Sequence, residues 1–264
     1  MELLFENVPI HYKVEGKLHQ HAIVLLHGFT ESLDIWDDFS AELSVDFKVI
    51  CIDLPGHGSS GCIGETHTME LMADVVKTIL DKEKVKKCVI IGHSMGGYVT
   101  LAFAEKYPKY MQGLGLFHSS ALPDTQEGKI NRAKAIEAIG KNHSGFVMNF
   151  IPDLFAPCHR KPLKKKIDIL IDKASEMSKQ SIIASQRGMM ERGDKRDVLK
   201  KAIYPVLFIA GKQDTRIPFE KVLEQIVLPK DTVALLLHDI AHMGYLEARD
   251  KTIYAVKCFV EGIY

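Results

Sequence analysis

The stretch Cys88-Val-Ile-Ile-Gly-His-Ser-Met-Gly-Gly97 joins an apolar run to a helical pattern through a serine flanked by glycines. The apolar run predicts a buried strand, and residues 95–107 have the spacing of a helix. A serine on such a sharp turn must adopt strained backbone angles, and Gly92 and Gly96 must be small because strand and helix pass close together. The turn exposes the Ser94 hydroxyl and points a helix N-terminus at any anion that forms beside it.

Short apolar runs of the same kind recur along the chain. They are Ala22–Leu26, Lys48–Ile52, Lys87–Ile91, Gly113–Phe117, Val206–Ala210 and Val233–Leu237. Such runs are typical of strands buried on both faces of a parallel sheet. Helical patterns at residues 68–80, 95–107 and 245–260 accompany them, and residues 3–14 predict two antiparallel strands. We therefore predict an α/β fold with a mostly parallel sheet of about eight strands and helices on both faces.

Residues 122–202 break this alternation of strands and helices. They show only helical patterns, at residues 127–139, 145–150, 163–178 and 181–190. A segment of roughly 80 residues is too long to be a loop. We predict a helical lid at residues 122–202, inserted after the sixth strand over the carboxyl ends of the strands. Residues 1–121 and 203–264 then form the core.

Composition narrows the class of partner. The chain has 34 basic residues (Lys and Arg) and 34 acidic residues (Asp and Glu). Its net charge therefore favours neither nucleic acid nor an anionic membrane as a binding partner. The sequence contains no apolar run of about 18 residues, and residues 1–10 lack a secretory pattern. The five cysteines are scattered without zinc-binding spacing, which indicates reduced thiols. These features predict a cytoplasmic protein that acts on a small molecule, and they leave its oligomeric state open.

Four short segments follow one another in a characteristic order. They are His27-Gly28-Phe29, Asp53-Leu-Pro-Gly-His-Gly58, Gly92-His-Ser-Met-Gly96 and Ala241-His242-Met-Gly244. In this order they resemble the α/β-hydrolase superfamily, and within it the lidded carboxylesterase and epoxide-hydrolase-like group. The resemblance covers nearly the whole chain apart from the predicted lid. Haloalkane dehalogenases and epoxide hydrolases need aspartate at the nucleophile position, so Ser94 predicts a serine hydrolase instead.

A serine hydroxyl needs a base to take its proton and a carboxylate to hold that base in the right tautomer. The resemblance implies the chain order serine, acid, histidine. Asp214 comes just after a predicted strand and is the expected acid, with Asp231 and Asp239 as less well-placed competitors. His242 follows the last strand and precedes the final helix, where the family places its base. The predicted catalytic residues are therefore Ser94, Asp214 and His242.

The resemblance also implies the groups around the nucleophile. The backbone N–H groups of Phe29 and Met95 are expected to form the oxyanion hole. His118 and Ser119 follow a strand end and are predicted to line the substrate pocket.

The apolar middle of the lid adds Phe146 and Phe150 to this predicted pocket, although such residues serve equally well to pack the lid helices together. Arg187 and Arg192 are candidates for binding a substrate carboxylate, with exposed surface positions as the alternative. His238 and His242 lack a third ligand, so no metal site is predicted.

The predicted function is hydrolysis of small to medium carboxylic esters, or related acyl compounds, through an acyl-enzyme intermediate. This chemistry needs no cofactor. One alternative keeps the triad for lyase, carbon–carbon hydrolase or perhydrolase chemistry, because His27-Gly-Phe-Thr30 and the lid length also resemble menaquinone-pathway lyases. Another is a non-catalytic, ligand-binding member of the family.

Overall fold

An eight-stranded, mostly parallel sheet forms the centre of the protein, whose computed structural model describes residues 1–264. Its spatial order is β1-β2-β4-β3-β5-β6-β7-β8, and only β2 runs antiparallel to its neighbours. The strands are β1 (Glu2–Phe5), β2 (Val8–Glu15), β3 (Ala22–Leu26), β4 (Lys48–Ile52), β5 (Cys88–His93), β6 (Met111–Phe117), β7 (Val206–Gly211) and β8 (Thr232–Leu237). The strand that ends at Ser94 therefore lies in the middle of the sheet.

Helices cover both faces of this sheet. They are α1 (Asp37–Leu43), α2 (Met69–Lys82), α3 (Met95–Lys106), α4 (Gln126–Lys141), α5 (His143–Phe150), α6 (Pro157–Arg160), α7 (Lys164–Glu176), α8 (Lys179–Glu191), α9 (Arg196–Lys201), α10 (Phe219–Leu223), α11 (Gly244–Glu247) and α12 (Arg249–Glu261). In β3, Val24 packs in the core with α2 and α3, whereas Ile23 and Leu25 pack with α1 and α12. This alternation explains why the strand is apolar at every position.

Six helices, α4 to α9, form an insertion between β6 and β7. Side-chain caps set where several of them begin: Thr125 accepts from the Gly128 N–H at 3.1 Å, and Asn142 accepts from the Gly145 N–H at 2.9 Å. The insertion is bonded to the core through α8, where the His67 N–H donates to the Ala184 carbonyl at 3.0 Å. None of the helices has the length and apolar character needed to cross a membrane.

Two local expectations from the sequence were wrong. Residues 245–260 form two helices instead of one, because Ala248 interrupts them with φ −139° and ψ 44°. The last strand, β8, is not buried on both faces: Val233 and Leu236 are 43% and 40% exposed. The reason is its position at the edge of the sheet, where only β7 pairs with it.

Candidate active site

Ser94 lies between β5 and α3 with φ 50° and ψ −113°, a strained conformation for a residue with a side chain. Two hydrogen bonds hold it there. The Ser94 N–H donates to the Phe117 carbonyl at 2.9 Å, and the Ser119 hydroxyl donates to the Ser94 carbonyl at 2.7 Å. A Cβ at Gly92 would overlap the backbone of Gly96, so the strand and helix meet only because glycine stands there.

A continuous line of hydrogen bonds leads from Ser94 to Asp214. Ser94 Oγ lies 2.9 Å from His242 Nε2, and His242 Nδ1 lies 2.8 Å from Asp214 Oδ2. The three residues come from three different strand ends, after β5, β7 and β8. His242 is held in place by the insertion as well, because its N–H donates to the Leu154 carbonyl at 2.9 Å. This arrangement leaves Nε2 of His242 free to accept the serine proton.

The surroundings of Asp214 keep its carboxylate ionised. Burial by itself would raise its pKa, but the charge of His242 and hydrogen bonds from His118 and His242 outweigh burial and hold the pKa well below its ordinary value. Its other oxygen, Oδ1, accepts from the N–H groups of Arg216 and Ile217 at 2.8 and 3.0 Å. A permanently ionised carboxylate keeps the proton of His242 on Nδ1 and so fixes the tautomer that a base requires.

The two backbone N–H groups predicted for the oxyanion hole belong to residues near Ser94: Met95 follows it in the chain, and a Cβ at Gly28, the residue before Phe29, would lie 3.2 Å from the Ser94 Cβ. Met95 is the first residue of α3, where an N–H has no acceptor within its own helix. Phe29 lies in the loop after β3, and its N–H donates to no other group of the protein. The loop is fixed from both sides, because Gly28 N–H donates to Glu31 and the Thr30 hydroxyl donates to the Phe29 carbonyl at 2.6 Å.

A cavity of about 310 Å³ opens over Ser94. Its apolar wall comes largely from the insertion and includes Phe146, Phe150, Leu154 and Met189. The rings of Phe146 and Phe150 stack with centroids 5.2 Å apart, and Phe150 also meets the ring of Phe29 edge-on at 5.7 Å. Both phenylalanines predicted for the substrate pocket therefore lie in the wall of this cavity.

His118 and Ser119, by contrast, lie outside the cavity wall, which corrects their predicted position. The end of β6 runs directly beneath the start of α3, so Ser119 reaches the Ser94 carbonyl instead of the cavity. His118 is buried, with its Nδ1 3.2 Å from Asp214 Oδ2 and its Nε2 without a partner. Burial lowers the pKa of His118, which is consistent with a neutral ring that donates to Asp214.

Of the two arginines considered for a substrate carboxylate, neither lines the cavity. Arg187 is on the surface and donates to the Glu65 carbonyl at 3.1 Å, while Arg192 is buried in an ion pair with Asp124 at 2.7 Å. The wall contains Arg132 and Arg216 in their place. Arg216 could have been found from the sequence, because it follows Asp214 by two residues in the same loop.

No pattern in the sequence indicates the buried ion pair beneath the site. Glu31 Oε2 lies 2.8 Å from His93 Nδ1, and the hydroxyl of Tyr245 donates to the other oxygen of Glu31 at 3.0 Å. His93 Nε2 donates to the carbonyl of His242 at 2.9 Å. Burial would lower the pKa of His93, but the charge of Glu31 outweighs it and raises that pKa. Both ring nitrogens lie against oxygen atoms that only accept, so both carry protons. The pair thereby anchors the backbone of His242.

The only group of side chains spaced like metal ligands is His118, Asp214 and His242, whose donor atoms lie within 4.8 Å of one another. Both imidazoles approach the same Asp214 oxygen, at 3.2 and 2.8 Å. At these distances each Nδ1 donates its proton to Asp214 and presents no lone pair to an ion.

Comparison with known families gives a match over part of the chain. A family model described as the alpha/beta hydrolase fold matches residues 21–137, which include the loop after β3, the turn at Ser94 and α3. The solved structure of a thermophilic esterase from Thermogutta terrifontis, with malate bound, superimposes with a TM-score of 0.91 at 28% sequence identity. That similarity covers 97% of this chain and 94% of the esterase.

Two curated relatives extend the comparison. The 3-oxoadipate enol-lactonase 1 of Acinetobacter baylyi is 26% identical over 260 residues, which are 95% of this chain and 92% of the lactonase. The dihydrolipoyllysine-residue acetyltransferase component of the acetoin cleaving system of Pseudomonas putida is 27% identical over 242 residues. That match covers 90% of this chain but only 63% of the length of the component.

Proposed function

Because the chain belongs to the α/β-hydrolase superfamily, we propose that it is a serine hydrolase that cleaves small to medium carboxylic esters through an acyl-enzyme intermediate. The observation that carries the proposal is the line of hydrogen bonds from Ser94 Oγ through His242 to Asp214, at 2.9 and 2.8 Å, in the wall of a cavity. Two of its relatives, the esterase and the enol-lactonase, support the proposal by their names. Ester cleavage and lactone cleavage both transfer an acyl group to water.

Acylation is the first half of the proposed reaction. Ser94 Oγ attacks the ester carbonyl carbon while its proton passes to His242 Nε2. The N–H groups of Phe29 and Met95 stabilise the oxyanion, and loss of one such donor costs about 3–4 kcal/mol of transition-state stabilisation. As the tetrahedral intermediate collapses, the bond between carbon and the alcohol oxygen breaks. His242 gives its proton to that oxygen, and the alcohol leaves.

Deacylation repeats the sequence with water. Water attacks the acyl carbon and yields a proton to His242, and the carbon–Oγ bond then breaks. Ser94 recovers its proton from His242 as the carboxylic acid is released. Throughout both halves Asp214 stays ionised and stabilises the imidazolium that forms twice in each turnover.

We further propose that residues 122–202 act as a lid that shapes the substrate pocket. Phe146, Phe150 and Leu154 of this segment line the cavity, and the Leu154 carbonyl accepts the hydrogen bond from the N–H of His242. The lid thus supplies both an apolar wall, which suits the acyl or alkyl part of an ester, and a support for the base.

The test is hydrolysis of p-nitrophenyl esters from acetate to octanoate by the wild type and by Ser94→Ala. We expect turnover with a preferred chain length and a loss of at least about 10⁴-fold in kcat in the variant. Ser59→Ala is the control, because Ser59 is exposed outside the cavity and its hydroxyl makes no hydrogen bond. Equal turnover by Ser94→Ala would refute the proposal, and no turnover of any ester by the wild type would favour lyase chemistry or ligand binding.

A further inference from the structure

The guanidinium of Arg216 is a charged group in the cavity wall that forms no hydrogen bond or ion pair within the protein. The Arg216 N–H is bonded to Asp214 Oδ1 at 2.8 Å, so the loop that places the acid also places this side chain. The guanidinium lies 4.9 Å from the centroid of the Phe150 ring. The nearest carboxylates are engaged elsewhere, Asp153 with Arg160 at 3.2 Å and Asp214 with His242 at 2.8 Å.

A second arginine, Arg132, also lines the cavity. Its partner Asp124 is shared between Arg132, at 2.5 Å, and Arg192, which lies outside the wall, at 2.7 Å. Arg132 uses Nε for Asp124 and Nη1 for the Gln186 amide oxygen, at 3.0 Å, and its Nη2 makes no bond. The wall holds two carboxylates, and both are paired: Glu31 with His93, and Asp124 with Arg132 and Arg192. The positive charge of Arg216 is therefore not balanced by any carboxylate of the wall.

The apolar residues of the same wall determine which uncharged part of a ligand the cavity accepts. Phe146, Phe150 and Met189 lie in the same wall as Arg132 and Arg216, above Ser94. A cavity of about 310 Å³ has room for a short acyl chain. A ligand that fits has a few methylene groups against the rings and an anionic end toward the arginines, since a guanidinium binds a carboxylate through two parallel N–H groups.

We infer that the site selects esters that carry a carboxylate, separated from the scissile bond by a short methylene chain and bound by Arg216 with support from Arg132. The inference rests on the proposed ester hydrolysis, because it names the substrate class of that same site. Arg216 is then a specificity residue, and it contacts the substrate at the end away from Ser94.

The test compares a charged with a neutral ester of similar length, monomethyl glutarate and methyl hexanoate, through the release of methanol. We expect the wild type to show a higher kcat/KM for the glutarate ester. In Arg216→Gln the ratio of the two kcat/KM values should fall by about 10–100-fold, the effect of losing a hydrogen bond between charged groups. Lys212→Gln is the matched control, because it removes the same charge from the same loop but outside the cavity. Its ratio should stay within about 2-fold of the wild type by the same reasoning.

A binding measurement separates failure of this inference from failure of the proposed function. Monomethyl glutarate is titrated calorimetrically into Ser94→Ala and into Ser94→Ala with Arg216→Gln. Binding that depends on Arg216, with no hydrolysis by the wild type, would support the carboxylate site and refute ester hydrolysis. Hydrolysis of methyl hexanoate with no preference for the charged ester would support hydrolysis and overturn the carboxylate site. Absence of both binding and hydrolysis would overturn both.

Discussion

Glu31 and His93 form a pair of side chains that holds the backbone of His242 in place. Their ion pair is fully buried, so the His93 ring is held in one orientation. From there its Nε2 donates a hydrogen bond to the carbonyl of His242. The two residues are separated by 62 positions in sequence. No local pattern could have paired them, because a glutamate after a strand and a histidine before a serine each have many other roles. Ser94, Asp214 and His242 could be predicted, since each follows a recognisable strand.

Glu31→Gln should lower the free energy of unfolding by about 3–5 kcal/mol near pH 6, because it leaves a buried charge on His93 without its partner. The pKa of His93 is raised in the folded protein. The stabilisation that protonated His93 gives is therefore complete below the ordinary histidine pKa of about 6.5 and is lost as pH rises through the raised value. The pKa of Glu31 is lowered, so its contribution disappears only under acidic conditions.

Urea unfolding of the wild type and Glu31→Gln at pH 5.5, 7 and 9 measures this effect. The difference between the two proteins should be largest at pH 5.5 and should narrow as the solution becomes alkaline. Asp168→Asn is the control, because it removes an exposed ion pair with Lys164 and should change stability by less than about 1 kcal/mol. A difference that is independent of pH would show that Glu31 and His93 do not form a titrating pair.

At the scale of elements, the strands followed from the sequence with bounds within two residues. The runs Ala22–Leu26 and Lys48–Ile52 are strands at those same residues, because their apolar side chains are buried on both faces of the sheet. The edge position of β8 could not be predicted, since an apolar run looks the same in the middle and at the edge of a sheet. The contact between α8 and the core could not be predicted either. It is made by backbone atoms, which every residue has, so the sequence does not indicate it.

Gly188 is a point of close contact between α8 and the core. A Cβ there would overlap the backbone carbonyl of His67, and Ala184, in the preceding turn of α8, accepts the hydrogen bond from the His67 N–H. Gly188→Ala should therefore push the helix away and lower the free energy of unfolding by about 1–3 kcal/mol. Thermal unfolding monitored by circular dichroism measures the change.

Gly140→Ala in α4 is the matched control for this prediction. A Cβ at Gly140 meets no atom within 4 Å, so the substitution only removes flexibility from a helix. It should raise the free energy of unfolding by about 0.5–1 kcal/mol. If both substitutions stabilise the protein, α8 is not packed against the backbone of His67 as described.

For the whole molecule, the insertion and the sheet share their hydrophobic cores. Ile182 and Met189 of α8 pack in the core that contains α2 and α3, and Val147 of α5 packs in the core that contains Trp36 and α12. Because the insertion contributes to both, we expect it to unfold together with the sheet. The sequence predicted a separate helical segment, but periodicity does not reveal whether such a segment shares a core with its neighbours.

Cooperative unfolding can be measured with two probes in one urea titration. Trp36 is the only tryptophan and is buried against Phe39 and Phe117, so its fluorescence reports the core. Far-ultraviolet circular dichroism reports all helices, including those of the insertion. The two curves should coincide. An earlier loss of helical signal, with Trp36 fluorescence unchanged, would mean that the insertion is an independent unit.

The central claim is that Ser94 is a nucleophile activated by His242, and covalent labelling tests it most directly. The protein is treated with a fluorophosphonate, and the modified peptide is identified by mass spectrometry. We predict a single adduct on the Ser94 hydroxyl, none in Ser94→Ala, and labelling slowed by at least about 10³-fold in His242→Ala, since the serine is inert without its base. An unlabelled wild type, or an adduct formed equally fast without His242, would contradict the account.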